Sequence, residues 1–366
     1  MLRFLPFLFV LIAIVVFAAW SLVRLLPLES RGVFVGTALL SLLVLGLFVL
    51  TLLPLLDAFP MPLSIALYEV GNTLLVASLY MAFFFLSLRV LRLIPLVRDV
   101  VADLWLEHCW LTFVVSIVSM GVLIFAGYGN YMNKRRVALS LPVRGLSEHR
   151  RIVMLSDLHL GYHNRAGEVR RWVALVNAEK PDIVVIAGDL VDHSLRAVLQ
   201  QDIMSELRNI EAPVYASLGN HEYFAPMADV MRILRESNIT LLRDGVAQDK
   251  GLYIIGRDDR VNVRRQSLKA LMRQVPPGAA TILLDHQPYH LEEAEQAGIT
   301  LQLSGHTHHG QFWPGPWITE RIYEKAHGYL RKGNTHYYVS SGMGIWGAKV
   351  RLGTQSEYIV IDLIKE

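Results

Sequence analysis

Apolar residues run almost unbroken through four stretches at the start of the chain. After residue 130 they give way to short apolar runs, many of which end in polar residues. Stretches free of Asp, Glu, Lys and Arg cover 4–23, 32–56, 70–88 and 108–133. A helix that crosses a bilayer needs about 20 apolar residues. The first, second and fourth stretches meet that directly, and the third reaches back to residue 63 by accepting Glu69. The pattern predicts an all-α transmembrane region over 1–130 with four spans, near 4–24, 33–56, 64–87 and 108–129. The first stretch lacks a small-x-small cleavage site before the next span, so it reads as a retained helix rather than a signal peptide. Between the third and fourth spans, 88–107 carries Arg89, Arg92 and Arg98, then Asp99, Asp103 and Glu107, with apolar residues between. It reads as an interfacial amphipathic helix or as a plain loop.

Residues 131–149 read as a linker, and 150–366 as a water-soluble domain. There the period changes. "RIVMLSDLHLG" at 151–161 is a strand ending in polar residues and glycine, 167–179 has helical period, and 183–187 is a strand ending at Gly188-Asp189. A helix over 197–209 and a strand over 213–217 repeat the scheme, and the next loop opens at Gly219-Asn220-His221. Helices are expected at 226–236 and 265–273. Strands are expected at 240–243, 252–256, within "AATILLDHQP" and "ITLQLSGHTHHG", and late at 335–340 and 357–363. The early part is therefore α/β with mostly parallel strands, and the later part is richer in strands.

Composition sharpens this division. Of 366 residues, 53% are hydrophobic and 18% charged, and the mean hydropathy is +0.37. The first 130 residues hold 12 Asp, Glu, Lys or Arg, against 55 in the other 236. The net charge of +3, with no dense basic stripe, gives no support to nucleic-acid binding. Cys109 is the single cysteine, which excludes an intramolecular disulfide and a thiolate metal cluster. Basic residues flanking the four spans balance, five on each side. The Lys134-Arg135-Arg136 cluster after the last span tips the soluble domain toward the cytoplasmic face, with the periplasmic or extracellular face as the alternative.

The chemistry stands at five strand ends: Asp157-x-His159, Gly188-Asp189, Gly219-Asn220-His221, His286 and Gly305-His306-x-His308. Open α/β sheets place ligand sites just beyond the carboxyl ends of their strands. Apart from the glycines, these residues offer oxygen or nitrogen to a hard or borderline divalent cation, in numbers sufficient for two ions. If the strands ran on regularly, Asp157 and His159 would face the same way, as would His306 and His308.

The order D-x-H, GD, GNH, H, GHxH resembles the calcineurin-like metallophosphoesterases over roughly 150–363. Within that superfamily "SDLHLG", "AGDLVDH", "LGNHEY" and "GHTHHGQ" resemble the YkuE/YaeI-like enzymes and the transmembrane proteins with a metallophosphoesterase domain, as does the closing "YYVSSGMGIWGAKVRLGTQSEY". The resemblance implies a four-layer sandwich, two mixed sheets flanked by helices. It implies one metal held by Asp157, His159, Asp189 and His308, and a second held by Asp189, Asn220, His286 and His306. Asp189 bridges the two, and His221 faces the phosphoryl group as a catalytic residue. Two divalent ions are implied, Mn²⁺ first, with iron or zinc as alternatives, and a hydroxide bridging them attacks phosphorus. The lipid A pathway pyrophosphatase of this superfamily has arginine after GN where this chain has His221, so that subgroup is not assigned. The sequence also lacks G-x-x-x-x-G-K-[ST], so an ATP-type phosphate loop is absent.

His163, His193, His290 and His309 are expected as supporting or rim groups, His193 foremost. Arg351 and Glu357 are expected to pair across the final turn. The aromatic, proline-broken 311–333 segment reads as a rim or lid whose Trp313, Trp317 and Tyr323 can rest on a bilayer, or as ordinary loop packing. Glu69 and Asn72, three apart on one face of the third span, offer an intramembrane carboxylate.

The expected function is a membrane-bound metal-dependent phosphohydrolase in a bacterial inner membrane, cleaving a phosphate ester or pyrophosphate of a lipid or lipid-linked substrate. No obligate protein partner is expected. The alternatives are a phosphodiesterase acting on a soluble nucleotide, a non-catalytic sensor or scaffold, and a transporter acting through Glu69.

Overall fold

The computed structural model describes residues 5–105 and 108–366. Arg3 and Glu107 lie outside the described residues, and the side chain of Asp103 is likewise not described. The chain divides into two units: Met1–Tyr128 with Gly347–Lys349, and Gly129–Trp346 with Val350–Glu366.

The first unit contains α1 (Leu5–Val23), α2 (Ser30–Leu52), α3 (Met61–Leu91), α4 (Arg98–Trp105) and most of α5 (Trp110–Met132). Helices α2, α3 and α5 are long and apolar enough to cross a membrane, and α1 carries a shorter apolar stretch, Leu8–Val23. This is consistent with a multi-pass membrane protein. Helix α3 runs to Leu91, past the expected end at 87. Over its described residues, the segment expected as an amphipathic helix or loop is therefore the end of α3, a turn, and the eight-residue α4. Ala18 of α1, Met81, Ala82 and Phe85 of α3, and Val101 of α4 form one buried cluster. Helices α2 and α3 approach closely at Gly71, where a Cβ would sit 2.9 Å from the Leu47 carbonyl oxygen. Small residues permit such contacts where helix association rests on close packing. Arg89 lies 4.8 Å from the Phe17 ring centroid and 4.9 Å from that of Trp20, and donates to Ser21 Oγ. Its charge is met by aromatic faces.

Asn72 is buried and donates to the Tyr68 carbonyl at 2.9 Å, one turn back along its own helix. Glu69 Oε1 lies 3.6 Å from Lys349 Nζ within this unit. The two polar residues thus have separate partners.

In the second unit, sheet one has strand order β1 (Arg135–Val143), β12 (Glu357–Lys365), β2 (Arg150–Leu155), β3 (Ile183–Ala187), β4 (Val214–Ser217), β5 (Ile239–Leu241). Sheet two has the order β10 (Gly328–Lys332), β11 (Thr335–Val339), β9 (Leu301–Ser304), β8 (Thr281–Leu284), β7 (Leu252–Gly256), β6 (Gly245–Asp249). Both sheets are mixed. β2 to β5 run parallel, as do β7, β8, β9 and β11, while β12–β2, β6–β7 and β10–β11 are antiparallel.

Strand alternation explains the layers. Val153, Leu155, Val184, Ile186 and Val214 face α6 (Ala166–Ala178), α7 (Leu195–Gln200), α8 (Ile203–Leu207) and α9 (Met227–Glu236). Their neighbours Ile152, Met154, Ile183 and Val185 face the other way. There they share a core with Ile254, Ile282, Leu284, Leu301 and Leu303 of sheet two. The outer face of sheet two, with Ile255, Leu283 and Tyr337, packs on α10 (Leu268–Leu271) and α11 (Glu292–Ala297). Central strands are therefore apolar on both faces, which is why they read as unbroken apolar runs.

Several expectations need correction. The expected linker 131–149 contains β1, which pairs in parallel with β12 along its whole length. Its alternation buries Leu141 and Val143 between the sheets. The partner strand lies more than 200 residues away, beyond the reach of a local pattern. The helix expected at 197–209 breaks into α7 and α8 at Asp202, which has φ 45°. The helix expected over 265–273 holds one α-helical turn, α10, and a 3₁₀ turn over Met272–Gln274. The 311–333 segment contains α12 (Gly315–Ile322) and β10.

Candidate metal centre

The polar tips follow β2, β3, β4, β8 and β9, strands drawn from both sheets, and the fold brings them together. Asp157 and His159 lie past the end of β2, with φ of 53° and 44°. Asp189, His306 and His308 also have positive φ. The expected regular strand does not continue through these motifs, so period 2 is not what makes paired residues converge. Tight left-handed turns do it, a conformation that costs non-glycine residues energy and that clusters at functional sites. The neighbouring glycines allow close approach. A Cβ on Gly305 would strike the Asp157 carboxylate.

Two groups result. Asp157, His159 and His308 form one, and Asp189, His286 and His306 another, with the candidate ligand atoms of each group within 4.8 Å of one another. Asp189 joins the groups: its Oδ2 lies 3.6 Å from His159 Nε2 and 3.1 Å from His286 Nε2. Backbone donors aim both carboxylates. His306 N–H donates to Asp157 Oδ1 at 2.9 Å, and His221 N–H to Asp189 Oδ1 at 2.8 Å.

The donors fit a divalent pair. Asp157 Oδ2, Asn220 Oδ1 and His286 Nε2 are buried without hydrogen-bond partners. His286 Nδ1 meets the Ala187 carbonyl at 2.8 Å, so that nitrogen donates and Nε2 is the one turned toward Asp189. His159 Nε2 and His308 Nε2 face each other at 3.1 Å. Lone pairs facing one another or a carboxylate need a proton or a cation between them, and buried polar groups are rarely left unmatched.

The electrostatics agree. Burial holds His159 and His308 well below the usual imidazole value and takes His306 down to about 3, so all three are neutral donors at neutral pH. Burial opposes the charge on His286, but Asp189 and Asp157 outweigh it and raise this imidazole well above its ordinary value. Burial likewise pushes Asp157 up to about 6, against the pull of His286.

His221 stands at the edge of the cluster, its ring 4.4 Å from that of His159. Its Nδ1 meets Asp192 Oδ1 at 3.0 Å. Burial opposes its charge too, yet the carboxylates of Asp189 and Asp192 push it up to about 9. His193 Nδ1 shares Asp192 Oδ1 at 3.0 Å and stacks on Phe224. His163 Nε2 meets the Ile345 carbonyl, His309 stacks on His327 at 4.3 Å, and His290 lies on the surface beside Glu292.

Two supporting residues are not singled out by the sequence. Asp192 orients His221. Glu222 accepts from the backbone N–H groups of Asp189, Val191 and Gly219, tying the tips of β3 and β4 together. Both lie inside quoted motifs, "AGDLVDH" and "LGNHEY", but neither stands at a strand end with an obvious ligand role. Arg351 is fully buried and donates to the carbonyls of His308, Ser341 and Gly344. The expected Arg351–Glu357 pair does not form a direct contact. Glu357 instead lies 3.0 Å from His327 Nε2 and accepts from Ser341 N–H.

Comparison with known proteins agrees with this geometry. Residues 150–310 match the calcineurin-like phosphoesterase family. An uncharacterized metallophosphoesterase of Campylobacter jejuni is 30% identical over 263 residues, 69% of this chain and 70% of that protein. A zebrafish transmembrane protein with metallophosphoesterase domain is 29% identical, over 68% of this chain and 62% of its own length. The metallophosphoesterase YkuE of Bacillus subtilis is 27% identical, over 58% of this chain and 78% of its own.

Proposed function

Since the chain belongs to the calcineurin-like phosphoesterases, we propose that it is a membrane-embedded phosphohydrolase with a two-metal centre, of the YkuE/YaeI-like kind, acting on a lipid or lipid-linked phosphate ester or pyrophosphate. The observation that carries this reading is the pair of His/Asp groups joined by Asp189, with buried unpartnered donor atoms turned toward one another. Asp157, His159, Asp189 and His308 would hold one ion. Asp189, Asn220, His286 and His306 would hold the other. Mn²⁺ leads, because the donors are oxygen and imidazole nitrogen without thiolate. Such a pair supplies charge to clamp phosphoryl oxygens and lowers the pKa of water.

The protein's own groups do the rest. Asp189 and Asp157 are held in place by backbone N–H groups, so the centre is rigid before substrate arrives. His221, kept charged by Asp189 and Asp192, offers a proton or positive charge to the phosphoryl group or its leaving oxygen.

The lipid substrate is supported by the membrane region, since one span would suffice as a tether. We assign four spans, counting Leu5–Val23, in a bacterial inner membrane. The Lys134-Arg135-Arg136 cluster favours a cytoplasmic catalytic domain, a reading that reporter fusions after residues 30, 60, 100 and 366 test directly.

The deciding experiment is Mn²⁺-dependent product release from a total bacterial lipid extract, using detergent-purified protein beside its Asp189→Asn variant. A lipid species consumed only by the unmodified protein supports the reading. Intact lipids with cleavage of a generic phosphodiester would redirect it to soluble nucleotides.

A further inference from the structure

The loop after β7 is rich in arginine, and three arginines near it are matched by carboxylates. Arg243 pairs with Asp258 at 2.8 Å. Arg257 pairs with Asp285 at 3.2 Å and with Glu293 at 2.6 Å. Arg265 pairs with Asp285 at 3.0 Å. Arg260 differs. Among the described residues no carboxylate lies within ion-pair distance of it, and its Nη1 is buried without a hydrogen-bond partner. The adjacent carboxylates are engaged elsewhere: Asp259 by Gln287 and the Val261 N–H, Asp258 by Tyr223, Arg243 and Asn262.

Arg260 is also held in place. Its guanidinium carbon lies 4.3 Å from the centre of the Tyr289 ring. Tyr289 and Tyr323 share a hydroxyl contact of 3.2 Å, and the Tyr323 ring stands edge-on to His306 with centroids 6.1 Å apart. A guanidinium fixed on an aromatic face, with a dry N–H lacking an acceptor, is an incomplete anion site. A chain of contacts thus runs from Arg260 through Tyr289 and Tyr323 to His306, which sets Arg260 beside the candidate metal donors rather than among them.

We propose that Arg260, supported by Tyr289 and Tyr323, binds a second phosphoryl group one link removed from the scissile one, and so selects pyrophosphate-linked substrates over simple esters. This rests on the phosphohydrolase reading and narrows its substrate class. A planar guanidinium suits two oxygens of one phosphoryl group.

The test is calorimetric titration of the detergent-purified, Mn²⁺-loaded full chain with methylenediphosphonate and, separately, with orthophosphate. Unmodified protein is expected to bind the diphosphonate more tightly. Arg260→Ala should weaken diphosphonate at least tenfold while orthophosphate changes less than threefold and bound metal per chain is unchanged. Arg260→Lys, which keeps the charge and bulk but loses the fork, should fall between. Equal weakening of both ligands, loss of metal, or no change in either variant would overturn the assignment of Arg260. Failure of the unmodified protein to take up divalent metal would instead overturn the phosphohydrolase reading beneath it, and this inference with it.

Discussion

Asp192 shows how one carboxylate sets the state of a neighbour. Its Oδ1 meets the Nδ1 atoms of both His221 and His193 at 3.0 Å, in a pocket where burial alone would strip charge from an imidazole. This makes His221 separable from the metal donors, since its ring turns toward Asp192. Substituting His221 with Ala should leave metal content intact and lower turnover by about 10²–10⁴-fold, the usual range for a lost general acid. Metal analysis beside a phosphodiester assay checks this, and full activity in that variant would end the assignment. Asp189→Ala should behave oppositely and lose binuclear binding, because the Asp189 carboxylate reaches both groups. These two outcomes distinguish a group that holds ions from one that acts on substrate.

At the scale of elements, the strand ends are held by tight turns and close contacts rather than by extended geometry. Gly305 after β9 lies against the Asp157 carboxylate after β2. Gly305→Ala should therefore weaken metal uptake about 10–100-fold, as loss of an orienting contact around metal ligands does. Its far-ultraviolet circular dichroism should be unchanged. The first residue of β12 carries a different burden. Glu357 is almost fully buried, and burial alone would raise its pKa. His327, the Ser341 N–H and Tyr338 override this and hold it below the ordinary carboxylate value. A depressed folded value means this stabilisation is complete above the unfolded value of about 4.5 and is lost as pH falls through the folded one. Melting curves taken across acid pH should thus decline less steeply below pH of about 4.5 in Glu357→Gln than in the unmodified protein. Parallel declines would remove Glu357 from the acid response.

For the whole molecule, the metal centre couples binding to protonation. In the metal-free chain Asp189 and Asp157 keep His286 protonated at neutral pH. A cation placed among the same donors displaces that proton. Loading with Mn²⁺ should therefore release protons, and its apparent affinity should rise with pH up to the raised His286 value. Calorimetry in buffers of different ionisation enthalpy measures the released protons directly, and identical heats in all buffers would contradict it.

How much of this was legible without coordinates differs by feature. Apolar helices long enough for a bilayer announce themselves locally, because a span must satisfy its hydrogen bonds within itself and cover its surface with apolar side chains. The central strands were legible because burial on both faces leaves unbroken apolar runs, and the five polar tips stood out against them. β1 was not, since a half-exposed edge strand takes its meaning from β12 at the other end of the chain. The break at Asp202 was hidden because a single left-handed residue scarcely disturbs a helical pattern. Asp192 and Glu222 were hidden for a related reason. Their roles are to aim other groups, and that depends on distances across the fold.

The sequence by itself therefore determined the division into an apolar helical region and an α/β domain, the residue types offered to a cation, and their order along the chain. Those properties follow from local hydrophobicity and side-chain chemistry. Only the tertiary structure decided that strand tips from two different sheets meet, that Asp189 joins both groups, that Asp189 and Asp192 keep His221 charged, and that Arg260 is left, among the described residues, without a carboxylate in ion-pair reach. Each of these is a relation between residues tens to hundreds of positions apart. Contacts at that range are set by how the sheets stack and how the turns close.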